Sequence, residues 1–492
     1  MSALTRRELL LSGTVGLGVA ALASPVPAAV VTAAERAFHY DHICGTSLDV
    51  WFTADRDTDA EARVLAEVDR LTAVFSLYDP DSELSRLNRS FGTVAVSADL
   101  LAVLAHYQEW QTRTAGACNP RVSVFVNMWA YAELTQQLPD AGFLVHLARF
   151  IARPDYTLDE ARGTATRTAV SSLDLNAIAK GYIVGRLADL LKSIPGVSAG
   201  LVNLGGDMAA FGEAYTVGVQ DPFAPAENAT PLGTFALCDA AVATSGGYQR
   251  FHTIHGQRYS HLIDPRTGWP ATAVASATVI APTSVTANAL ATTLGVMGID
   301  EGLRLVSTVA GAECLIVGPD GKQFRSPGFP LRLIAVNADA PKGAWPDGFQ
   351  VSVALELPAV NAAKYRRPYV AVWFEDADGK AVRTLTVWGN SPKYTKDLSD
   401  WWKFAKEDKA LVKATTRATR GPGKYELVWD GKDDGGKAVP AGIYTVRVEV
   451  HREHGKHLRQ SGKIECGAEK AELKLPKNDE TGQTVLTYGA MK

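Results

Sequence analysis

Four stretches of this chain place glycines and polar side chains inside otherwise apolar sequence, the texture of a site rather than of a core. The first, Asp174-Leu175-Asn176-Ala177-Ile178-Ala179-Lys180-Gly181-Tyr182, reads as a strand running into a helix start. A helix N-terminus offers free N–H groups to an anion, and Lys180 would add a mobile positive charge there. Taken alone, the stretch also fits a plain turn with a surface lysine. The second, Leu201-Val202-Asn203-Leu204-Gly205-Gly206-Asp207, reads as a buried strand whose Gly pair lets a ligand approach the backbone.

The third stretch is Ala243-Thr244-Ser245-Gly246-Gly247-Tyr248-Gln249-Arg250, followed by Tyr259-Ser260-His261-Leu262-Ile263-Asp264-Pro265-Arg266-Thr267-Gly268. Its hydroxyls, glycines and arginine suit a pyrophosphate or an adenine. His261 and Asp264 are close enough in sequence to serve one site. A lone histidine is more often structural, but this one lies between an apolar strand and Asp-Pro-x-Thr-Gly. The fourth is Thr286-Ala287-Asn288-Ala289-Leu290-Ala291-Thr292. On a helix, Asn288 and Thr292 project from one face and could share a hard cation such as Mg²⁺. The alternative is a polar seam on an amphipathic helix.

These residues need elements to hold them. Thr58-x-x-Glu61 is a capping-box signature, and Val64, Val68, Leu71 and Phe75 follow at helical spacing. Residues 181–192 predict a second helix, stopped by Pro195, and 287–298 a third, with Leu290, Leu294 and Met297 on its apolar side. Strand-like and helix-like stretches alternate to about residue 337. Beyond a linker at 338–344 the period changes to two: Phe349-x-Val351-x-Val353, Val370-x-Val372-x-Phe374, Tyr425-x-Leu427-x-Trp429 and Tyr444-x-Val446-x-Val448. Asp378-Gly379 and Asp433-Asp434-Gly435-Gly436 supply turns between them. An antiparallel β-sandwich over 345–492 follows.

With 492 residues, 46% hydrophobic and 21% charged, the chain calls for two or three domains. A net charge of −3 and the lack of any Lys/Arg block argue against nucleic-acid binding. Thr5-Arg6-Arg7-Glu8-Leu9-Leu10 opens an apolar run to about Ala23 that is too short to span a bilayer. Residues 1–34 therefore read as an export signal resembling the twin-arginine type, leaving a periplasmic product with no membrane span. Cys44, Cys118, Cys238, Cys314 and Cys466 are scattered, without zinc spacing, and read as buried thiols.

The four stretches, with Phe75-Ser76-Leu77-Tyr78-Asp79-Pro80-Asp81-Ser82-Glu83-Leu84-Ser85-Arg86-Leu87-Asn88 upstream, resemble the FAD:protein FMN transferases, the ApbE family. Ala-Lys-Gly-Tyr, Asn-Leu-Gly-Gly-Asp, Thr-Ser-Gly and His-x-Ile-Asp-Pro-x-Thr-Gly carry the resemblance, which spans about residues 40–335. It implies an α+β fold, T-fold-like, in which two related α/β halves over 35–337 form a flavin cleft. FAD would be the substrate and Mg²⁺ the metal. FMN would pass to a Ser or Thr of an exported or membrane-bound electron-transfer protein, with release of AMP. By motif position, Tyr78 would lie on the isoalloxazine, and Asn203, Gly205, Gly206 and Asp207 would line the cleft with Lys180. Thr244, Ser245, Gly246, Thr267 and Gly268 would hold the adenosine and pyrophosphate end. The Ala177 carbonyl, Asn288 and Thr292 would hold Mg²⁺. His261 would be the base, with Asp264 beside it.

The chain departs from the family pattern at several points. Asn288 stands where the family has Asp, so Mg²⁺ binding should weaken. Gly116-Ala117-Cys118-Asn119-Pro120-Arg121 replaces Gly-x-Phe-Asp-Pro-Thr, Trp129-Ala130-Tyr131 replaces Trp-Gly-Phe, and Cys44-Gly45-Thr46 replaces Met-Gly-Thr. All are expected near the cleft. The alternatives to transfer are an FAD pyrophosphatase and a non-catalytic flavin-binding protein. The sandwich resembles a periplasmic family of unknown function, and Trp388, Trp401 and Trp402 there are either a docking surface or core. No flavin-acceptor motif is evident in the chain itself, so the acceptor should be a different protein.

Overall fold

The computed structural model describes residues 33–490, except 170, 225, 227, 228, 230, 248–250, 331, 334–344, 347, 360–365, 390–394, 409, 410, 413, 414, 418 and 454. Residues 1–32 of the expected signal segment, the linker and the Tyr248-Gln249-Arg250 end of the third stretch lie outside the described residues, while Ala34, the last residue of that segment, opens the first strand. The chain forms two compact units, 31–223 with 231–333 and 334–492 with 224–230.

The first unit is built on one antiparallel sheet of eight strands. Across it run β1 (Ala34–Ile43), β2 (Thr46–Ala54), β6 (Val197–Leu204), β7 (Asp207–Phe211), β10 (Ala240–Gly246), β13 (Ser276–Ala281), β14 (Glu313–Val317) and β15 (Gln323–Arg325). Between β2 and β6 come α1 (Ala60–Phe75) and α6 (Asn176–Lys192); between β13 and β14 come α7 (Ser284–Val296) and α8 (Ile299–Ser307). Each half is thus two strands, helices, two strands, the pair of related halves that the family resemblance implies. Smaller pieces are inserted: α2 (Glu83–Arg89), α3 (Ala98–Arg113), α4 (Ser123–Thr135), α5 (Ala141–Ile151), a sheet of β3 (Gly92–Ala95), β5 (Thr164–Arg167) and β4 (Tyr156–Asp159), and the hairpin β11 (Phe251–Ile254) with β12 (Gln257–Ser260). A last sheet orders β16 (Arg332–Leu333), β9 (Gly233–Leu237) and β8 (Tyr215–Val219).

The main core lies between one sheet face and the helices. Leu48 and Val50 of β2 meet Val64, Val68 and Leu71 of α1, Ile178 and Val184 of α6, and Leu290 and Leu294 of α7. The predicted α1 stripe is buried as expected, but no capping box forms. The N-cap is Asp59, and Thr58 Oγ1 only receives the Ala60 N–H at 3.4 Å. α6 starts at Asn176, five residues before the predicted 181, with no strand leading into it. α7 starts at Ser284, where the Thr283 hydroxyl accepts the Thr286 N–H at 3.2 Å. That helix is covered on nearly every side, which removes the polar-seam alternative.

The second unit holds two sheets, antiparallel except where the short edge strand Thr416–Arg417 runs parallel to Ala381–Trp388. One orders Gly423–Trp429, Phe349–Leu357, Thr484–Ala490 and Ala471–Leu475; the other runs from Ala381–Trp388 through Tyr369–Glu375 and Gly442–His451 to His457–Cys466. All four predicted strands are present. Trp388 and Trp401 are buried, so they belong to the interior and not to a docking surface. His451 and His457 are direct cross-strand partners with ring centroids 5.1 Å apart. All five cysteines are unbridged; Cys44 and Cys238 are exposed, against the expectation of five buried thiols.

Candidate active site

The site is assembled where α6 crosses α7, one helix from each half. Gly181 makes the crossing possible, because a Cβ there would overlap the Ser284 carbonyl and lie 2.7 Å from Asn288 Cβ. Gly185, one turn later, faces the Ser284 hydroxyl. This approach delivers the Gly181 N–H to Asn288 Oδ1 at 3.1 Å.

The other end of the Asn288 amide donates to Asp207 Oδ2 at 3.1 Å. Flipping the amide would set oxygen against carboxylate and nitrogen against N–H, so the two partners determine its orientation. Asp207 is 2% exposed and pairs with Lys180 Nζ at 2.9 Å. Burial pushes its carboxyl above the ordinary carboxylate value, and the Lys180 ammonium and the Thr244 backbone N–H pull it back. Lys180 is therefore not at the helix N-terminus, as its motif suggested. It sits inside α6, anchored to a buried acid.

Asn203 lies on the opposite side of its strand from Leu204, away from the helices. Its amide donates to Asp49 Oδ2 at 3.2 Å, and Asp49 Oδ1 meets His39 Nδ1 at 2.6 Å. Asn203 Oδ1 is left to accept the Gly206 N–H at 2.8 Å, which fixes the β6–β7 turn. Gly205 and Gly206 have φ of 59° and 95°, and a Cβ on Gly205 would overlap Thr46. His39 and Asp49 were missed by the sequence reading. A polar residue at an alternate strand position reads as solvent-facing until its cross-strand neighbours are known.

At the end of β10, Thr244 Oγ1 pairs with Thr278 Oγ1 at 2.9 Å, while Ser245 turns toward α7, with Oγ 3.5 Å from a Cβ placed on Gly295. Leu262 also reaches Gly295, and Gly247 abuts Ser260, so the stretch carrying His261 packs over this end of α7. His261 is half-buried there. Asp264 is not poised as a catalytic acid or base: Arg266 grips both its oxygens at 2.8–3.1 Å and also reaches Glu301 at 2.7 Å. The Asp264 carbonyl accepts the N–H of Thr267 and Gly268, closing a turn. Thr292 is half-buried one turn beyond Asn288, and the Ala177 N–H donates to Tyr107 OH at 3.2 Å. Tyr78 stands 94% exposed on the loop after α1.

Several departures from the family pattern prove structural. Cys118 is buried and its thiol is pushed up to about 12 by that burial, a packing group and not a nucleophile. Asn119 and Arg121 are buried as well. Arg121 donates to Ser171 Oγ at 2.9 Å and to the Arg153 carbonyl at 2.8 Å. Trp129 donates to the Gly268 carbonyl at 2.9 Å and supports the Asp264 turn from below. Cys44 and Gly45 form the β1–β2 turn, with Cys44 at φ 49°.

The model of the ApbE family matches residues 44–316, and that of a family described as a predicted periplasmic protein, DUF2271, matches 350–483. The FAD:protein FMN transferase of Treponema pallidum is 31% identical over 292 residues, 54% of this chain and 78% of that protein. That of Haemophilus influenzae is 30% identical over 282 residues, 54% and 80%. Among solved structures, the ApbE protein of Thermotoga maritima superposes with a TM-score of 0.53 at 26% identity, covering 60% of this chain and 97% of that one. The apo flavinyl transferase of Pseudomonas stutzeri gives 0.51 at 23%, covering 60% and 95%.

Proposed function

The chain belongs to the ApbE family, and from that membership we propose that it is an FAD:protein FMN transferase acting in the periplasm after twin-arginine export. The observation that carries the reading is where the match falls. Residues 44–316 contain every candidate site residue, including the α6–α7 crossing that joins Lys180, Asp207 and Asn288. The DUF2271 match supports the compartment, and no described helix is long and apolar enough to cross a membrane. The acceptor is a Ser or Thr of an exported or membrane-bound electron-transfer protein.

The hydroxyl oxygen of the acceptor attacks the FMN-side phosphorus of FAD. The phosphoanhydride bond breaks, and its electron pair leaves on AMP. The hydroxyl proton passes to His261, an imidazole suited to accept it near neutral pH. Lys180 has a side chain 33% exposed and brings the positive charge that the diphosphate needs, with Asp207 holding it in place.

Of the residues expected to hold Mg²⁺, Asn288 does not offer it a free ligand in this arrangement. Mg²⁺ is normally held through carboxylates together with substrate phosphates. Here Asn288 is neutral and its oxygen already accepts the Gly181 N–H, and the nearby carboxylate of Asp207 is paired with Lys180. That closed network favours, as a second reading, a flavin-binding protein with little turnover.

Incubating the protein with FAD and a Ser/Thr-Gly-Ala-Ser/Thr peptide, with and without Mg²⁺, separates the readings. AMP together with a flavinylated peptide means transfer; AMP alone means FAD hydrolysis; neither means a binder. His261→Ala should keep FAD bound while slowing transfer at least a hundredfold.

A further inference from the structure

Twelve large apolar side chains are exposed among the described residues, and half of them fall between positions 131 and 150. Tyr131 and Leu134 lie on the outer face of α4, Leu138 follows it, and Phe143, Val145 and Phe150 lie on α5. Leu134 is 81% exposed and Tyr131 65%. Phe143 and Phe150, seven residues apart, share one side of α5, while Leu147 between them packs against the inner core. The inner faces of α4 and α5 already share a small core with the hairpin, formed by Phe125, Trp129, Leu144, Ala148, Ile151 and Ile254. The outer apolar face is therefore surplus to folding, and such patches on a folded surface mark interaction sites.

Two further exposed rings lie at the candidate site itself. Phe251 on the hairpin and Trp269 beside the Asp264 turn are also exposed, and Trp269 packs edge-on against Trp129 at 5.5 Å. Trp129 in turn holds Gly268, at the end of the loop that begins with His261. The rim carries both signs: Arg149 and Arg153 are exposed on and just after α5, and the Arg258 guanidinium lies 4.3 Å over Phe251, while Asp140 caps α5 beside Phe143 and Glu133 pairs with His252 next to Leu134.

We propose that the outer face of α4 and α5, with Phe251 and Trp269, docks the flavin-accepting protein. The partner would present an apolar surface next to the hydroxyl that receives FMN. This rests on the transferase reading, because that reaction requires a macromolecule to seat itself beside His261. A bare peptide would reach the site without using the patch.

The test substitutes Leu134→Glu and Phe143→Glu, singly and together, with Leu134→Ser as a milder control. Both positions are exposed, so folding should be preserved, as checked by thermal melting. Host cells lacking their own copy are complemented with each full-length variant, and covalent flavin fluorescence of protein bands is read on denaturing gels. The purified proteins are assayed in parallel on the Ser/Thr-Gly-Ala-Ser/Thr peptide, and their mass in solution is measured. The double variant should lower protein flavinylation at least tenfold and leave peptide transfer within twofold of wild type. Unchanged flavinylation of proteins overturns the docking site while the transferase reading stands. Variants that change from dimer to monomer with protein flavinylation intact also overturn it, in favour of a second copy on this face. If the wild type flavinylates neither protein nor peptide, the transferase reading fails and the docking site falls with it.

Discussion

Replacing Asn288 by Asp tests whether the α6–α7 crossing is a closed network or a metal site short of one charge. From the family pattern alone, the added carboxylate should simply tighten Mg²⁺. The structure puts a cost first. Asn288 Nδ2 lies 3.1 Å from Asp207 Oδ2, so the substitution replaces a donor with a second carboxylate oxygen at that distance. Two unit charges there repel by about 5 kcal/mol at an effective dielectric near 20. Sharing a proton relieves much of this, and the lost hydrogen bond to a charged group remains, about 1.5–3 kcal/mol. In EDTA, Asn288→Asp should therefore melt about 2–5 °C below wild type. Adding Mg²⁺ at a hundred times its dissociation constant should return about 2.7 kcal/mol to the variant alone. Asn288→Leu should lose stability and gain no response to metal. Moving the acid across, in Asp207→Asn with Asn288→Asp, should restore one acid facing one amide and recover most of the stability without metal. Differential scanning calorimetry with and without Mg²⁺ reads all four proteins. The reasoning fails if Asn288→Asp is as stable as wild type in EDTA, or if Mg²⁺ raises the wild-type melting temperature as much as the variant's.

Lys180→Met strands the Asp207 carboxylate, so it should cost on the order of 2 kcal/mol by urea denaturation and weaken FAD binding in a titration followed by flavin fluorescence. Gly181→Ala forces α6 and α7 apart, because its Cβ would overlap the Ser284 carbonyl; about 1–3 kcal/mol should be lost, with FAD affinity falling in parallel. The Arg70 guanidinium holds the Glu67 carboxyl below its ordinary value, so the stability Glu67 contributes is present above the unfolded value near 4.5 and lost as pH falls through the folded one. Melting temperature should drop on acidification below about pH 4.5, and Arg70→Ala should make that drop shallower.

Much of this protein could be read directly from its residues. Apolar spacing located α1, and strict alternation located the four sandwich strands, because both periods follow from backbone geometry regardless of what lies nearby. The motif order marked the stretches that carry Lys180, Asn203, Asp207, His261 and Asn288. What each of those side chains does was decided by neighbours far away in sequence. Lys180 is anchored because Asp207, on a different element, points back at it. Asn288 is closed off because Gly181 lets two helices meet without an intervening Cβ. Asp264 is claimed by Arg266 and left as a turn brace, and Asn203 is oriented by Asp49, whose importance appears only when β2 is laid beside β6. Local periodicity is written along the chain, whereas a hydrogen-bond partner is set by packing across it. The apolar face of α5 shows the same divide. Its sequence looks like core, and only the fold reveals that α4 covers one side and leaves Phe143 and Phe150 exposed.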